Sequence, residues 1–235
     1  MKLTYFIVLV LLTACTTTPK TDAVLIIDQT EERGILDEQT LLSIFDIPHG
    51  RITITEIIDQ SLSRDISISK PKSLPYFLRV ESKLRKQDKA FRDGFLTGLA
   101  KFNKPSDGLS QSYCYSVLAR VCKKLAQSEA DNKFILISGD LLHHTDDFSF
   151  YSYRKNPAQI MKDYDQIIET FESQFNDIRG ESLDGIHISV AFFPSKENDR
   201  LYREVRKFWS RYFAEKNSNI EFVTSLHYSS QISTL

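Results

Sequence analysis

What this chain of 235 residues lacks narrows its function before anything else does. It has no excess of either charge: 30 basic residues stand against 31 acidic ones, for a formal net charge of −1. Without a basic footprint nothing points to a nucleic-acid partner. Glycine is scarce, with 8 residues in all, and none falls into Gly-x-Gly-x-x-Gly or Gly-x4-Gly-Lys-Ser/Thr. Dinucleotide and P-loop chemistry therefore lack their phosphate cradles. There is no Gly-x-Ser-x-Gly elbow for a serine hydrolase. Internal repeats and low-complexity segments are missing too. Only three cysteines occur. Cys114 and Cys122 lie on one expected helix, about 12 Å apart along its axis. That is beyond the reach of a disulfide, and both read as small core residues.

Long apolar runs are also absent. The longest, Thr4 to Leu12, is too short to cross a bilayer but follows a basic Met1-Lys2 start, as the core of a secretory signal does. Leu12-Thr13-Ala14-Cys15 resembles the lipobox of bacterial lipoproteins. The resemblance implies cleavage just before Cys15 and lipidation on it. Thr16 follows where an aspartate would mark inner-membrane retention, so an outer-membrane lipoprotein of the cell envelope is expected. Residues 1–14 are then signal peptide and 15–22 a polar, lipidated tether. Residues 23–235 form one domain, long enough for a single substantial core.

Within that domain strands and helices alternate. Val24-Leu25-Ile26-Ile27 is a continuous apolar run, as in a strand covered on both faces. Leu41, Leu42 and Phe45 fall at helical spacing, and Pro48-His49-Gly50 ends that helix. Arg51 to Ile57 and Asp65 to Ser69 alternate and read as an antiparallel pair at a sheet edge. A long helix is expected over 77–102, with Phe91, Phe95 and Leu99 on its apolar face and Gly94 and Gly98 allowing close packing. A second carries Tyr113, Val117, Val121 and Leu125. Lys133 to Ser138 and Ile186 to Phe193 are further strands, and 220–223 a last one. Helices are expected over 157–175 and 199–214. This order predicts a doubly wound α/β fold: a mostly parallel sheet, one antiparallel edge strand, helices on both faces.

In such a sheet ligands bind beyond the carboxyl ends of the strands, where the winding reverses. The first strand ends in Asp28-Gln29-Thr30-Glu31-Glu32, and the strand over 134–137 ends in Ser138-Gly139-Asp140. Ser110-Gln111-Ser112 precedes the helix between them. Carboxylates and hydroxyls meeting there describe an oxygen-lined site for Mg²⁺ or Mn²⁺. This order, strand with Asp-x-Thr, strand pair, long helix, serine-bearing helix start, strand with Ser-Gly-Asp, resembles a von Willebrand factor A domain with a metal-ion-dependent adhesion site. The resemblance spans nearly all of residues 23–226. It implies that Asp28 stands for the family's first aspartate and Thr30 for the first hydroxyl of Asp-x-Ser-x-Ser. Ser110 or Ser112 stands for the loop threonine, and Asp140 for the last aspartate. Glu32 replaces the second hydroxyl. If it coordinates, it raises cation affinity and weakens the ion's pull on an acidic ligand; if it faces solvent, the site has one ligand fewer. The implied role is non-enzymatic, a module holding a protein or glycan partner, with a divalent cation at the site.

The stretch after Asp140 carries His143, His144, Asp146 and Asp147, then Phe148, Phe150, Tyr151 and Tyr153. The first four read as a solvated polar loop, or as ligands of a transition metal. The four rings read equally as a recognition surface for the partner or as a lid burying its own apolar side over the sheet. One enzyme reading also exists. Asp28 at a strand end and Ile137-Ser138-Gly139 at another are similar to haloacid dehalogenase-type phosphohydrolases, in which that aspartate is the nucleophile. That family's general acid, two residues on, is here Thr30.

Overall fold

The computed structural model describes residues 19–28, 37–57, 64–72, 80–102, 111–192 and 194–223. Among them six strands form one sheet in the order β3-β2-β1-β4-β5-β6. These are β1 (Thr21–Asp28), β2 (Gly50–Ile57), β3 (Ile66–Lys70), β4 (Asn132–Ser138), β5 (Ile186–Ala191) and β6 (Asn219–Val223). Every neighbouring pair is parallel except β2 and β3, so one antiparallel strand closes an otherwise parallel sheet. The doubly wound α/β class expected from the sequence is the one found. The winding reverses between β1 and β4, the position at which such sheets place their ligands.

Both faces of β1 are apolar, and this is why its sequence reads as a run. Ala23, Leu25 and Ile27 point to one face, beneath α1 (Glu38–Ile44) and α2 (Glu81–Phe102). There Phe45, Phe95 and Leu99 fill the layer. A Cβ on Gly98 would lie 3.1 Å from Ile54, so this glycine lets α2 sit down on β2 and β3. Val24 and Ile26 point to the other face, beneath α3 (Cys114–Ala126), α5 (Tyr164–Gln174) and α6 (Asp199–Glu215). Tyr115, Phe171, Phe208 and Trp209 form an aromatic cluster there, with Phe171 and Trp209 stacked at 6.1 Å. Cys114 and Cys122 are buried free thiols in this layer, and burial pushes the Cys122 thiol up to about 12.

One expectation changes. The helix expected over 157–175 is two, α4 (Gln159–Lys162) and α5, with a break at Asp163. The Asp163 carboxylate accepts hydrogen bonds from Gln159 Nε2 (2.8 Å) and from the Tyr153 hydroxyl (3.2 Å), which tie the break to the preceding loop. β2 and β3 form the antiparallel pair expected at the sheet edge, with β3 outermost and Thr53, Thr55 and Glu56 of β2 buried. β3 supplies part of the compensation: Thr53 Oγ1 lies 3.0 Å from Ser67 Oγ on the neighbouring strand.

Helix α3 runs antiparallel to β1 and matches it in length. Its 13 residues span about 20 Å, and the strand from Asp22 to Asp28 also covers about 20 Å. Ser112, ahead of the helix, donates to Asp28 Oδ2 (3.1 Å), and Ser128, behind it, donates to Asp22 Oδ2 (2.6 Å). The helix is thus pinned at both ends to the same face of the central strand.

Candidate functional site

The site is built where β1 and β4 end. Asp28 is the last residue of β1 and is 1 % exposed. Ile27 pairs with Ser138 in the parallel register, so Gly139 comes alongside Asp28. A Cβ on Gly139 would stand 2.5 Å from the Asp28 Cβ, and only glycine allows the two chains to approach so closely. The chain then turns sharply. The Asp140 carboxylate accepts from the Leu142 N–H at 2.8 Å, and Leu141 between them adopts φ +58°, the left-handed region that a leucine enters at a cost of about 1–2 kcal/mol. Trp209 secures this turn by donating its indole N–H to the Leu141 carbonyl (3.1 Å).

Cys114 opens α3 between the two carboxylates. Burial first, then the charges of Asp28 and Asp140, raise its thiol far above the ordinary range. The thiol therefore stays protonated. Its sulfur lies 3.1 Å from Ser112 Oγ, giving a relay of weak donor, hydroxyl and carboxylate that ends on Asp28. Asp28, Ser112 and Asp140, three of the six oxygen ligands expected from sequence, are brought to one buried place. Thr30, Glu32 and Ser110 lie outside the described residues, as does Cys15 with the proposed lipid anchor. No helix among the described residues is long and apolar enough to cross a membrane.

The donor set fits a hard cation in kind, being carboxylate and hydroxyl oxygens. No group of three His, Cys, Asp or Glu side chains converges among the described residues. A transition-metal reading of the loop after Asp140 therefore has no assembled ligand set there, and its histidines have other tasks. His143 is wholly buried, and its Nδ1 accepts the Tyr115 backbone N–H at 3.3 Å. Tyr113, the residue ahead of α3, makes no side-chain cap, so His143 fills that office from a distant loop. The accepting nitrogen must be unprotonated, which places the proton on Nε2, among the rings of Phe171 and Phe148. Burial, helped by His144, lowers its pKa to about 3.

His144 joins the site to the aromatic loop. Its backbone bridges Ser112 in both directions, at 2.7 and 3.0 Å, and its Nδ1 lies 2.8 Å from Ser149 Oγ. The loop continues into a 3-10 turn, Phe150–Tyr153. Phe150 is buried against Phe148, Phe208 and Trp209, so with His143 it belongs to the interior and not to any outward surface. His144, Phe148, Tyr151 and Tyr153 keep part of their surface exposed. Tyr151 packs edge-on against His144 and takes the Arg154 guanidinium over its ring at 4.5 Å. The loop is thus a lid on its inner side, with a partly exposed rank of rings on its outer side.

Sequence reasoning did not find the His143 cap, the closeness of Gly139 to Asp28, or the thiol between the two acids. Only the last had a signal, Ser112-x-Cys114 ahead of an apolar helix. The chain matches no protein-family model and no curated protein.

Proposed function

We propose that this chain is a lipid-anchored bacterial envelope protein, in which a von Willebrand factor A-like crevice holds a divalent cation and, through it, an acidic group of a protein or glycan partner. The observation that carries this reading is the meeting of Asp28, Ser112 and Asp140 at the reversal point between β1 and β4. The negative charges of both carboxylates are felt at the Cys114 thiol, and a divalent cation is drawn to the same place. The left-handed Leu141 next to Asp140 adds support, since backbone strain concentrates at functional positions. In this reading Asp28 and Asp140 neutralise Mg²⁺ or Mn²⁺, and the Ser112 hydroxyl is available to bind it directly. The ion supplies the electrophile for a partner's carboxylate. The partner's remaining contacts fall on His144, Phe148, Tyr151 and Tyr153, which the Ser112–His144 bridge ties to the crevice.

The test is a calorimetric titration of Mg²⁺ and Mn²⁺ into the purified protein and into Asp28→Ala. Saturable binding by the native chain, lost in the variant, is expected. Absence of heat from both proteins would remove the cation from the account. Hydrolysis of a generic phosphoester by the native chain, lost in the same variant, would assign Asp28 as a nucleophile instead.

A further inference from the structure

The opposite end of the sheet holds a cleft of about 450 Å³. Lys20 reaches it from just ahead of β1, His49 and Arg51 from the start of β2, Lys70 from the end of β3, and Ser128 from behind α3. Asp22 lines it as well, with a side chain only 4 % exposed. Asp22 Oδ2 accepts from Arg51 Nη2 (2.7 Å) and from the Ser128 hydroxyl (2.6 Å). Asp22 Oδ1 is buried and has no hydrogen-bond partner among the described residues. A buried carboxylate oxygen left without a donor is unfavourable, and a donor that reaches it is rewarded accordingly.

The charges around this oxygen select the ligand. Arg51 is balanced by Asp22, and Lys70 is held by Asp88 (3.0 Å) and Asp46 (3.4 Å). Lys20 and Glu129, also on the cleft wall, offset each other. The cleft is therefore close to neutral. A simple anion would meet the Asp22 carboxylate, and a simple cation would meet Arg51 and Lys20. What fits is a molecule carrying both signs: an ammonium with N–H groups for Asp22 Oδ1, and an anionic group for the outer donors. Arg51 has five N–H donors, and its side chain is 40 % exposed. A guanidinium and an ammonium at one rim suit the several oxygens of a phosphate.

We propose that this cleft binds a phosphoethanolamine group, the ammonium toward Asp22 and the phosphate toward Arg51 and Lys20. The group occurs free and as a phospholipid headgroup. The headgroup source rests on the envelope reading above: Lys20 is five positions from Cys15, and an extended chain of that length reaches at most about 18 Å. A lipid on Cys15 would hold this end of the sheet, not the Asp28 end, toward the membrane.

The experiment is a calorimetric titration of the full chain with phosphoethanolamine, phosphocholine, inorganic phosphate and glycine. Phosphocholine is the decisive control, because its quaternary ammonium has no N–H for Asp22. Saturable binding of phosphoethanolamine, at least tenfold tighter than the other three, is expected. Lys20→Glu, an exposed change that leaves the core alone, should weaken it at least tenfold. Asp22→Asn should erase the preference over phosphocholine. No saturable binding, or phosphate, phosphocholine or glycine binding as tightly, would overturn the proposal, and indifference to Lys20→Glu would do the same. A second arm embeds the lipidated chain in vesicles of phosphatidylethanolamine or of phosphatidylcholine and follows amide exchange at residues 20–22 and 49–51. Slower exchange in the first vesicles assigns the headgroup; equal exchange overturns that source. Because Mg²⁺ titration of Lys20→Glu reports on the Asp28 crevice alone, failure at one end is distinguishable from failure at the other.

Discussion

Strand β1 carries a buried aspartate near its start and another at its end, and the two are used in opposite ways. Both face the same side, both accept from a serine flanking α3, and both are almost fully buried. Asp22 has a guanidinium 2.7 Å away. Asp28 has Gly139 pressed against it, and its charge, with that of a second carboxylate, Asp140, acts on the protonated Cys114 thiol. One end is charge-balanced within the chain, whereas the other concentrates acid. Burial of an ionised carboxylate is tolerated where the protein supplies the counter-charge, as Arg51 does for Asp22. The same residue type on the same strand thus forms an ion pair with one oxygen to spare at the amino end and stands as a candidate cation ligand at the carboxyl end.

The most damaging way to break the carboxyl end is through its backbone. Gly139→Ala places a methyl 2.5 Å from the Asp28 Cβ, a contact that rotation of a flexible side-chain tip cannot relieve. A loss of about 3 kcal/mol in urea unfolding is expected, at the upper range for overpacking, together with loss of any Mg²⁺ binding. A stability equal to that of the native chain would mean that β4 approaches β1 less closely than described.

Charge removal sharpens the contrast directly. Asp22→Asn leaves Arg51 without its partner and should cost about 2 kcal/mol, discounted from a fully buried pair because Arg51 is partly exposed. Asp28→Asn, in divalent-free buffer, keeps an acceptor for the Ser112 hydroxyl in a side chain of the same size, and should cost under about 1 kcal/mol. Equal losses from the two substitutions, measured by urea denaturation in EDTA, would show that the Arg51 ion pair does not distinguish the two ends.

Much of the carboxyl end was legible because its signals are local. An apolar run stopping at Asp28 and another stopping at Ser138-Gly139-Asp140 locate two strand ends, and doubly wound winding brings such ends together. The amino end gave no comparable signal. Asp22 lies just ahead of the apolar run and reads as tether, yet it is the second residue of an eight-residue strand. Its burial depends on Arg51 and on Ser128, which is 106 positions away, and no periodicity reports a contact of that separation. The interior placement of His143 and Phe150 was hidden for the same reason. A polar, aromatic loop looks alike whether its rings face solvent or Phe171 and Trp209.

His143 also gives the comparison a pH dependence, since it caps the end of α3 beside Asp28, while the last turn at the Asp22 end carries Lys123 and Lys124. Its pKa in the fold is about 3, below the ordinary value of 6.5, because burial and His144 oppose the charged ring. The unfolded chain therefore binds a proton at this residue between pH 6.5 and 3 that the folded chain does not. Stability from His143 is complete above about pH 6.5 and is lost as the pH falls toward 3. At pH 5.5 the loss should be on the order of 1 kcal/mol. His143→Gln keeps an acceptor for the Tyr115 N–H but cannot take up the proton. It should flatten the fall in the urea midpoint between pH 7 and pH 5.5, whereas Asp22→Asn should leave that slope as it is. An unchanged slope in His143→Gln would place the ring in contact with water, and the amino end of α3 with it.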